Sequence, residues 1–248
     1  MKIIGIIPAR YQSSRFPGKP LIDIAGKSMV HRVYEQVKRA QGLADVVVAT
    51  DDHRIADHLR QFNLNVCMTS ISHPSGTDRC AEVASMNQYA ADAYVNIQGD
   101  EPFIAPEQIE QVIQLLHTNA AIATLVKKIT DPAMLSNHNV VKVVSDQNGA
   151  ALYFSRSPIP YQRGYAMSDW LKHATYYHHI GIYGYQSLVL KQLASLPKTE
   201  IEVCEQLEQL RWLSNNFQVA TSITNFDSIA IDTPQDLENA LKKWNEKH

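Results

Sequence analysis

Ile3-Ile4-Gly5-Ile6-Ile7-Pro8-Ala9-Arg10-Tyr11-Gln12-Ser13-Ser14-Arg15-Phe16-Pro17-Gly18-Lys19-Pro20 carries an apolar run straight into a basic loop. Residues 3–7 read as a buried strand: short, rich in β-branched side chains and stopped by a proline. The loop behind it holds Arg10, Arg15 and Lys19 and no carboxylate. Three cations on one connection repel one another unless a polyanion lies among them, and a triphosphate meets that need. Arginine offers a planar fork of donors, lysine a compact and mobile charge. Ser13 and Ser14 add hydroxyl and N–H donors, and Gly18 lets the backbone turn close to a ligand. The Walker ending Gly-Lys-Ser or Gly-Lys-Thr is absent, as is the Gly-x-Gly-x-x-Gly fingerprint. A solvated surface loop is the competing reading, and it leaves the placement directly behind a strand unexplained. Lysine at a transferred phosphorus stabilises charge in the transition state, which makes Lys19 a catalytic candidate.

Outward from this strand, helical and extended patterns alternate. Residues 28–40 predict a helix, because Met29, Val30, Val33 and Val37 recur at helical spacing. Strands are predicted at 44–50, 66–68 and 93–97, with helices at 51–62, 78–86 and 106–116 between and after them. Further strands follow at 121–126, 140–144 and 150–154, with Asn148-Gly149 as the hairpin turn of the last two. Residues 157–172 read as an extended excursion, and 178–185 as a strand whose Gly181 and Gly184 permit close backbone approach. Helices at 187–196 and 203–213, strands at 219–223 and 229–231, and a helix at 234–244 complete the chain. The pattern predicts a single α/β domain, a Rossmann-like three-layer sandwich with a predominantly parallel central sheet and an inserted subregion at about 121–185. In such sheets ligands bind beyond the carboxyl ends of the strands.

Bulk properties narrow the function. The 248 residues are 45% hydrophobic, enough for a sizeable core. Lys and Arg number 23 against 25 Asp and Glu, so no general nucleic-acid binder is expected. Cys67, Cys80 and Cys204 form neither a CxxC unit nor a zinc spacing, and read as ordinary thiols. The apolar opening run is too short for a signal peptide or a membrane span, so a cytoplasmic protein without membrane insertion is expected.

Two acids follow apolar runs as the basic loop does. Asp100 leaves the strand Val95-Asn96-Ile97 through Gln98-Gly99, and Asp232 leaves Ile229-Ala230-Ile231 before Thr233-Pro234. Mg²⁺ prefers carboxylate and phosphate oxygens and needs only one or two protein carboxylates when a nucleotide supplies the rest. Turn capping is the competing role for Asp100, and helix capping for Asp232. Spacing does not show whether the two meet. His73-Pro74-Ser75-Gly76-Thr77-Asp78-Arg79 reads as a helix start whose hydroxyls and N–H groups suit a base or ribose. Arg156, the His178–His179 pair, Tyr183, Glu205, Glu208 and Gln209 carry groups suited to an acidic polyhydroxylated sugar. A satisfied structural network explains each of these segments equally well.

Taken in order, Ile7-Pro8-Ala9-Arg10 with Ser14-Arg15, Pro17-Gly18-Lys19-Pro20-Leu21, Asn96-Ile97-Gln98-Gly99-Asp100-Glu101-Pro102, Ala151-Leu152-Tyr153-Phe154-Ser155-Arg156, His179-Ile180-Gly181-Ile182-Tyr183-Gly184-Tyr185, Leu207-Glu208-Gln209-Leu210-Arg211 and Asp232-Thr233-Pro234 resemble the 3-deoxy-manno-octulosonate cytidylyltransferase family. The resemblance implies transfer of CMP from CTP to the C2 hydroxyl of the sugar acid, release of pyrophosphate, a need for Mg²⁺ and a cytoplasmic homodimer. It implies nucleotide contacts from Ala9, Arg10, Ser13, Arg15, Lys19, Ser75 and Gly76. Lys19, Arg15, Arg10 and Asp100 would be catalytic, and Asp100 and Asp232 would hold the metal. Gln98, Arg156, His179, Tyr183, Glu208 and Gln209 would surround the sugar. One position departs from the family pattern His-Gln-Ser-Gly: Pro74 has neither an amide side chain nor a backbone N–H. Related acceptors (the 8-amino sugar or a sialic acid) and a non-catalytic nucleotide-sugar sensor remain open at this point.

Overall fold

The computed structural model describes residues 1–12, 16–227 and 230–245. In chain order the elements are β1 (Ile3–Ala9), β2 (Asp23–Ile24), β3 (Lys27–Ser28), α1 (Met29–Arg39), β4 (Asp45–Thr50), α2 (His53–Arg60), β5 (Val66–Met68) and α3 (Gly76–Ser85). There follow β6 (Ala93–Asn96), α4 (Pro106–His117), β7 (Ile122–Lys128), α5 (Ala133–Ser136), β8 (Lys142–Ser145), β9 (Ala151–Ser155), α6 (Trp170–His173) and β10 (Tyr177–Gln186). The chain closes with α7 (Ser187–Ser195), α8 (Glu200–Glu205), α9 (Gln209–Ser214), β11 (Val219–Ile223) and α10 (Pro234–Asn245).

The central sheet runs β11-β7-β10-β6-β1-β4-β5. Its neighbours are parallel except at β10, which lies antiparallel to both β6 and β7. Each central strand is apolar on both faces because both are covered. Along β1 and β4, Ile3, Ile7, Val46 and Val48 pack with Val33 and Val37 of α1, Leu59 of α2 and Val112 of α4. The alternate residues Ile4, Ile6, Val47 and Ala49 pack with Val83 of α3, Leu193 of α7 and Trp212 of α9. That is the expected three-layer α/β sandwich. Gly184 shows why β10 needs a glycine: a Cβ there would lie 2.6 Å from Val112 Cγ1 and 2.8 Å from Leu116 Cδ1.

Two local readings change. The helix expected at 203–213 is two helices, α8 and α9, parted by Gln206 in the left-handed region at φ 51°. No glycine or proline marks that break, so the chain carries no local signal for it. Ala230 and Ile231 are not a strand, while Ile229 lies outside the described residues. Of the segment at 121–185, the bounding strands β7 and β10 belong to the central sheet, and β8 and β9 extend it from the outer end of β10.

Candidate active site

The carboxyl ends of β1 and β6 open into a cleft of about 430 Å³ lined by Pro8, Ala9, Arg10, Gln12, Lys19, Pro20, Gly76, Gln98, Gly99, Asp100 and Asp232. Gly18 (φ 73°) sends its N–H back to the Tyr11 carbonyl at 2.9 Å, folding the basic loop so that Lys19 points inward. Lys19 Nζ donates to Asp100 Oδ2 at 2.7 Å and to Asp232 Oδ1 at 3.1 Å. Burial opposes the charge on Lys19, but the two carboxylates overcome it and raise the ammonium above its ordinary value. The Ile231 N–H donates to the Asp100 carbonyl at 2.9 Å, so backbone as well as side chains fixes the two acids together. Asp236 accepts from the Asp232 and Thr233 N–H groups and caps α10 behind them. Sequence spacing left this meeting undecided; the fold brings the pair to one ammonium.

Gly99 sets the width of the cleft. A Cβ on it would lie 2.6 Å from the Pro8 carbonyl oxygen, a backbone atom that has nowhere to go. Gly99→Ala should therefore push the Asp100 turn off β1, cutting turnover by at least about tenfold through misplacement alone. Circular dichroism would show a folded chain, and wild-type turnover would contradict this placement.

Arg10 reaches across the cleft to the His73 carbonyl at 2.6 Å, and His73 is held by the Glu82 carboxylate. Burial and the neighbouring Arg79 cation depress the Arg10 pKa, outweighing the nearby Asp51 and Asp78 carboxylates. Arg79 is wholly buried, with its guanidinium on Thr69 and Asp51. Ser13 and Arg15 lie outside the described residues.

On the opposite flank Ser75 caps α3 by accepting from the Asp78 N–H, and Gly76 packs beside Pro8 and Asn96. Pro74 and Ser75 border a second cavity of about 340 Å³, shared with Lys198, Gln206, Glu208 and Arg211. Glu208 ties the flanks together: its carboxylate accepts from Thr77 Oγ1 at 2.7 Å and faces Ser75 Oγ at 2.9 Å. Ser75 has one proton and a second carboxylate neighbour, Asp78 Oδ2 at 2.6 Å. Burial raises the Glu208 carboxyl above its ordinary range, in keeping with that shortage. Thr77 enters the sequence reading only as one hydroxyl of this helix start; its partner Glu208 is supplied when α9 is brought against α3.

The remaining sugar candidates divide. Gln98 donates to the Gly181 carbonyl at 2.9 Å and keeps its place on the cleft wall. On β10 the His179 ring packs between Phe154 and Tyr183, with Nε2 2.9 Å from Thr124 Oγ1. Burial pushes His179 down to about 3, so it is a neutral imidazole. Tyr183 is buried, and its hydroxyl meets no partner among the described residues. Gln209 is buried at the start of α9. Arg156 stands apart from the cleft lining. Its guanidinium donates to the carbonyls of Glu205, His138 and Gln206, and its N–H to the Glu205 carboxylate. In this arrangement Arg156 pins the corner between α8 and α9.

Two acids meeting at one cation suit a hard metal with phosphate oxygens completing its shell. Among the described residues no group of three or more His, Cys, Asp or Glu could hold a metal alone. The larger groove of about 920 Å³ beside α1 and α2 lacks such a pair. Its Lys27 is spent on Glu35, and Arg32 on the Ile24 and Ala25 carbonyls.

A strand-end cleft with a basic loop and paired acids is that of a nucleotidyl-transferring enzyme. The cytidylyltransferase family model matches residues 4–237. The 3-deoxy-manno-octulosonate cytidylyltransferase of Parabacteroides distasonis is 51% identical over 246 residues, 97% of each chain. That of Bacteroides thetaiotaomicron is 52% identical over 244 residues, again 97% of each. A solved structure described as CMP:2-keto-3-deoxy-manno-octonic acid synthetase complexed with CTP matches the whole of both chains at 40% identity and TM-score 0.93. The 4-diphosphocytidyl-2C-methyl-D-erythritol synthase of Anaerococcus prevotii, at 15% identity and TM-score 0.65, shares the fold alone. The chain belongs to the cytidylyltransferase family, and within it to the 3-deoxy-manno-octulosonate cytidylyltransferases.

Proposed function

We infer that the cleft is where this enzyme transfers CMP from CTP to 3-deoxy-manno-octulosonate. The observation that carries the assignment of residues is the meeting of Lys19, Asp100 and Asp232 at the strand ends. The C2 oxygen of the sugar acid attacks the α-phosphorus of CTP in line, losing its proton. The bond from that phosphorus to the bridging oxygen breaks and pyrophosphate leaves. Arg10 and Lys19 draw the developing charge toward the leaving group, with Arg15 assigned beside them by the family pattern. Asp100 and Asp232 would hold Mg²⁺, which would neutralise phosphate oxygens when bound. Ala9 and Gly76, which line the cleft, are assigned to the nucleotide, together with Ser75 from the neighbouring cavity and, by the family pattern, Ser13. Gln98, Tyr183, Glu208 and Gln209 form the sugar wall, with His179 as a neutral hydrogen-bonding group. Arg156 supports that wall from behind the α8–α9 corner.

The test is pyrophosphate release from CTP with 3-deoxy-manno-octulosonate, its 8-amino analogue and a sialic acid, each with and without Mg²⁺. Release with the first that disappears without metal is expected; release with no acid would make the chain a nucleotide sensor instead. No helix of the described residues is long and apolar enough to cross a membrane. We further propose a homodimer, supported by the exposed apolar side chains Leu152 on β9 and Val203 on α8. Light scattering that returned the mass of one chain would refute it.

A further inference from the structure

Lys19 bonds both of the carboxylates assigned to the metal. Its ammonium touches Asp100 Oδ2 at 2.7 Å and Asp232 Oδ1 at 3.1 Å, and the side chain is only 13% exposed. A Mg²⁺ ion bonds oxygen at about 2.1 Å. An ion drawn to either of these oxygens would come close to Nζ, which already holds one lone pair of each. The ammonium and the ion compete for the same lone pairs and repel each other when close.

We propose that Lys19 is an internal placeholder cation that keeps metal out of the nucleotide-free site and is handed from the two carboxylates to the triphosphate when CTP arrives. This rests on the assignment of Asp100 and Asp232 as metal ligands. Charge counting gives the reason. Two carboxylates and one ammonium sum to one negative charge, so a lone dication would leave the cleft positive with Arg10 close by. A polyanion reverses that sum. The triphosphate offers Lys19 new acceptors and supplies the metal with further oxygens, so metal and nucleotide enter together. Lysine suits the transfer because its charge sits on a flexible four-carbon stem with three rotatable donors. While it waits, the ammonium also shields two carboxylates that would otherwise repel each other. Metal bound without nucleotide would be an idle state, and the placeholder suppresses it.

The test uses Mn²⁺ as the probe and the full chain without nucleotide, with free Mn²⁺ read by electron paramagnetic resonance. Thermal unfolding confirms that each variant is folded. Lys19→Met should bind Mn²⁺ at least about tenfold more tightly than the wild type. Arg10→Met removes a charge from the same cleft without vacating the contact, and should shift affinity far less. Lys19→Met combined with Asp100→Asn should lose the gain. If Lys19→Met binds no more tightly than the wild type, the ammonium is no obstacle and the inference is overturned. An equal gain in Arg10→Met overturns it too, by showing a general field effect. The metal assignment is judged separately, by calorimetry of CTP binding to Asp100→Asn with and without Mg²⁺. If Mg²⁺ strengthens CTP binding as much in that variant as in the wild type, the carboxylate is not a ligand and both readings fall.

Discussion

Replacing Lys19 by Met should lower turnover about 10²-fold or more while leaving the fold intact. Methionine keeps the stem that fills the space beside Pro20 and removes only the charge. A preorganised charge at the reacting phosphorus works in a site partly shielded from water, where losing one such group costs on the order of 10²–10³ in rate. Little of that loss should appear in the CTP affinity, because Arg10 stays to hold the phosphates. Steady-state pyrophosphate release at saturating CTP and sugar acid checks the rate, and a thermal melt checks the fold. Wild-type turnover in a folded variant would remove Lys19 from the chemistry.

The second large effect concerns stability. Arg211 and Glu202 form a two-pronged pair at 2.8 and 2.6 Å, and both side chains are under a tenth exposed. Arg211→Met leaves Glu202 buried with its main partner gone, which costs about 3–5 kcal/mol by analogy with other broken buried pairs. For a chain of this size that is on the order of 10 °C in Tm. Burial alone would raise the Glu202 carboxyl, but its bonds from Arg211 prevail and hold it below its ordinary value. A depressed carboxyl stabilises the fold above its unfolded pKa, and that contribution fades as pH falls through the folded value. The melting gap between wild type and variant should thus narrow on acidification through that window. A gap independent of pH would mean that the pair is not the source. The same change loosens the corner that carries Glu208 and Gln209, so the KM for the sugar acid should rise more than that for CTP.

How much of this was legible depended on whether the cause was local. The strands at 66–68 and 219–223 were read to the residue, because β-branched and apolar runs bounded by polar residues are local signals. Lys19 and Asp100 were legible as candidates for the same reason, each following an apolar strand through a glycine. The break at Gln206 was not, since a left-handed glutamine is held by tertiary contacts rather than by its own preference. Arg156 shows the limit of a motif. Its type suits a carboxylate clamp, while three of its guanidinium bonds go to backbone carbonyls across the corner, which the motif does not announce. Thr77 likewise takes its partner from a segment far along the chain.

The bond from the Ile231 N–H to the Asp100 carbonyl joins two distant parts of the chain. The basic loop, β1 and Asp100 all lie in the first half of the printed sequence, whereas Asp232 follows far behind them. On the proposed assignment, a chain that stops short of Asp232 lacks one of the two acids and should release no pyrophosphate from CTP.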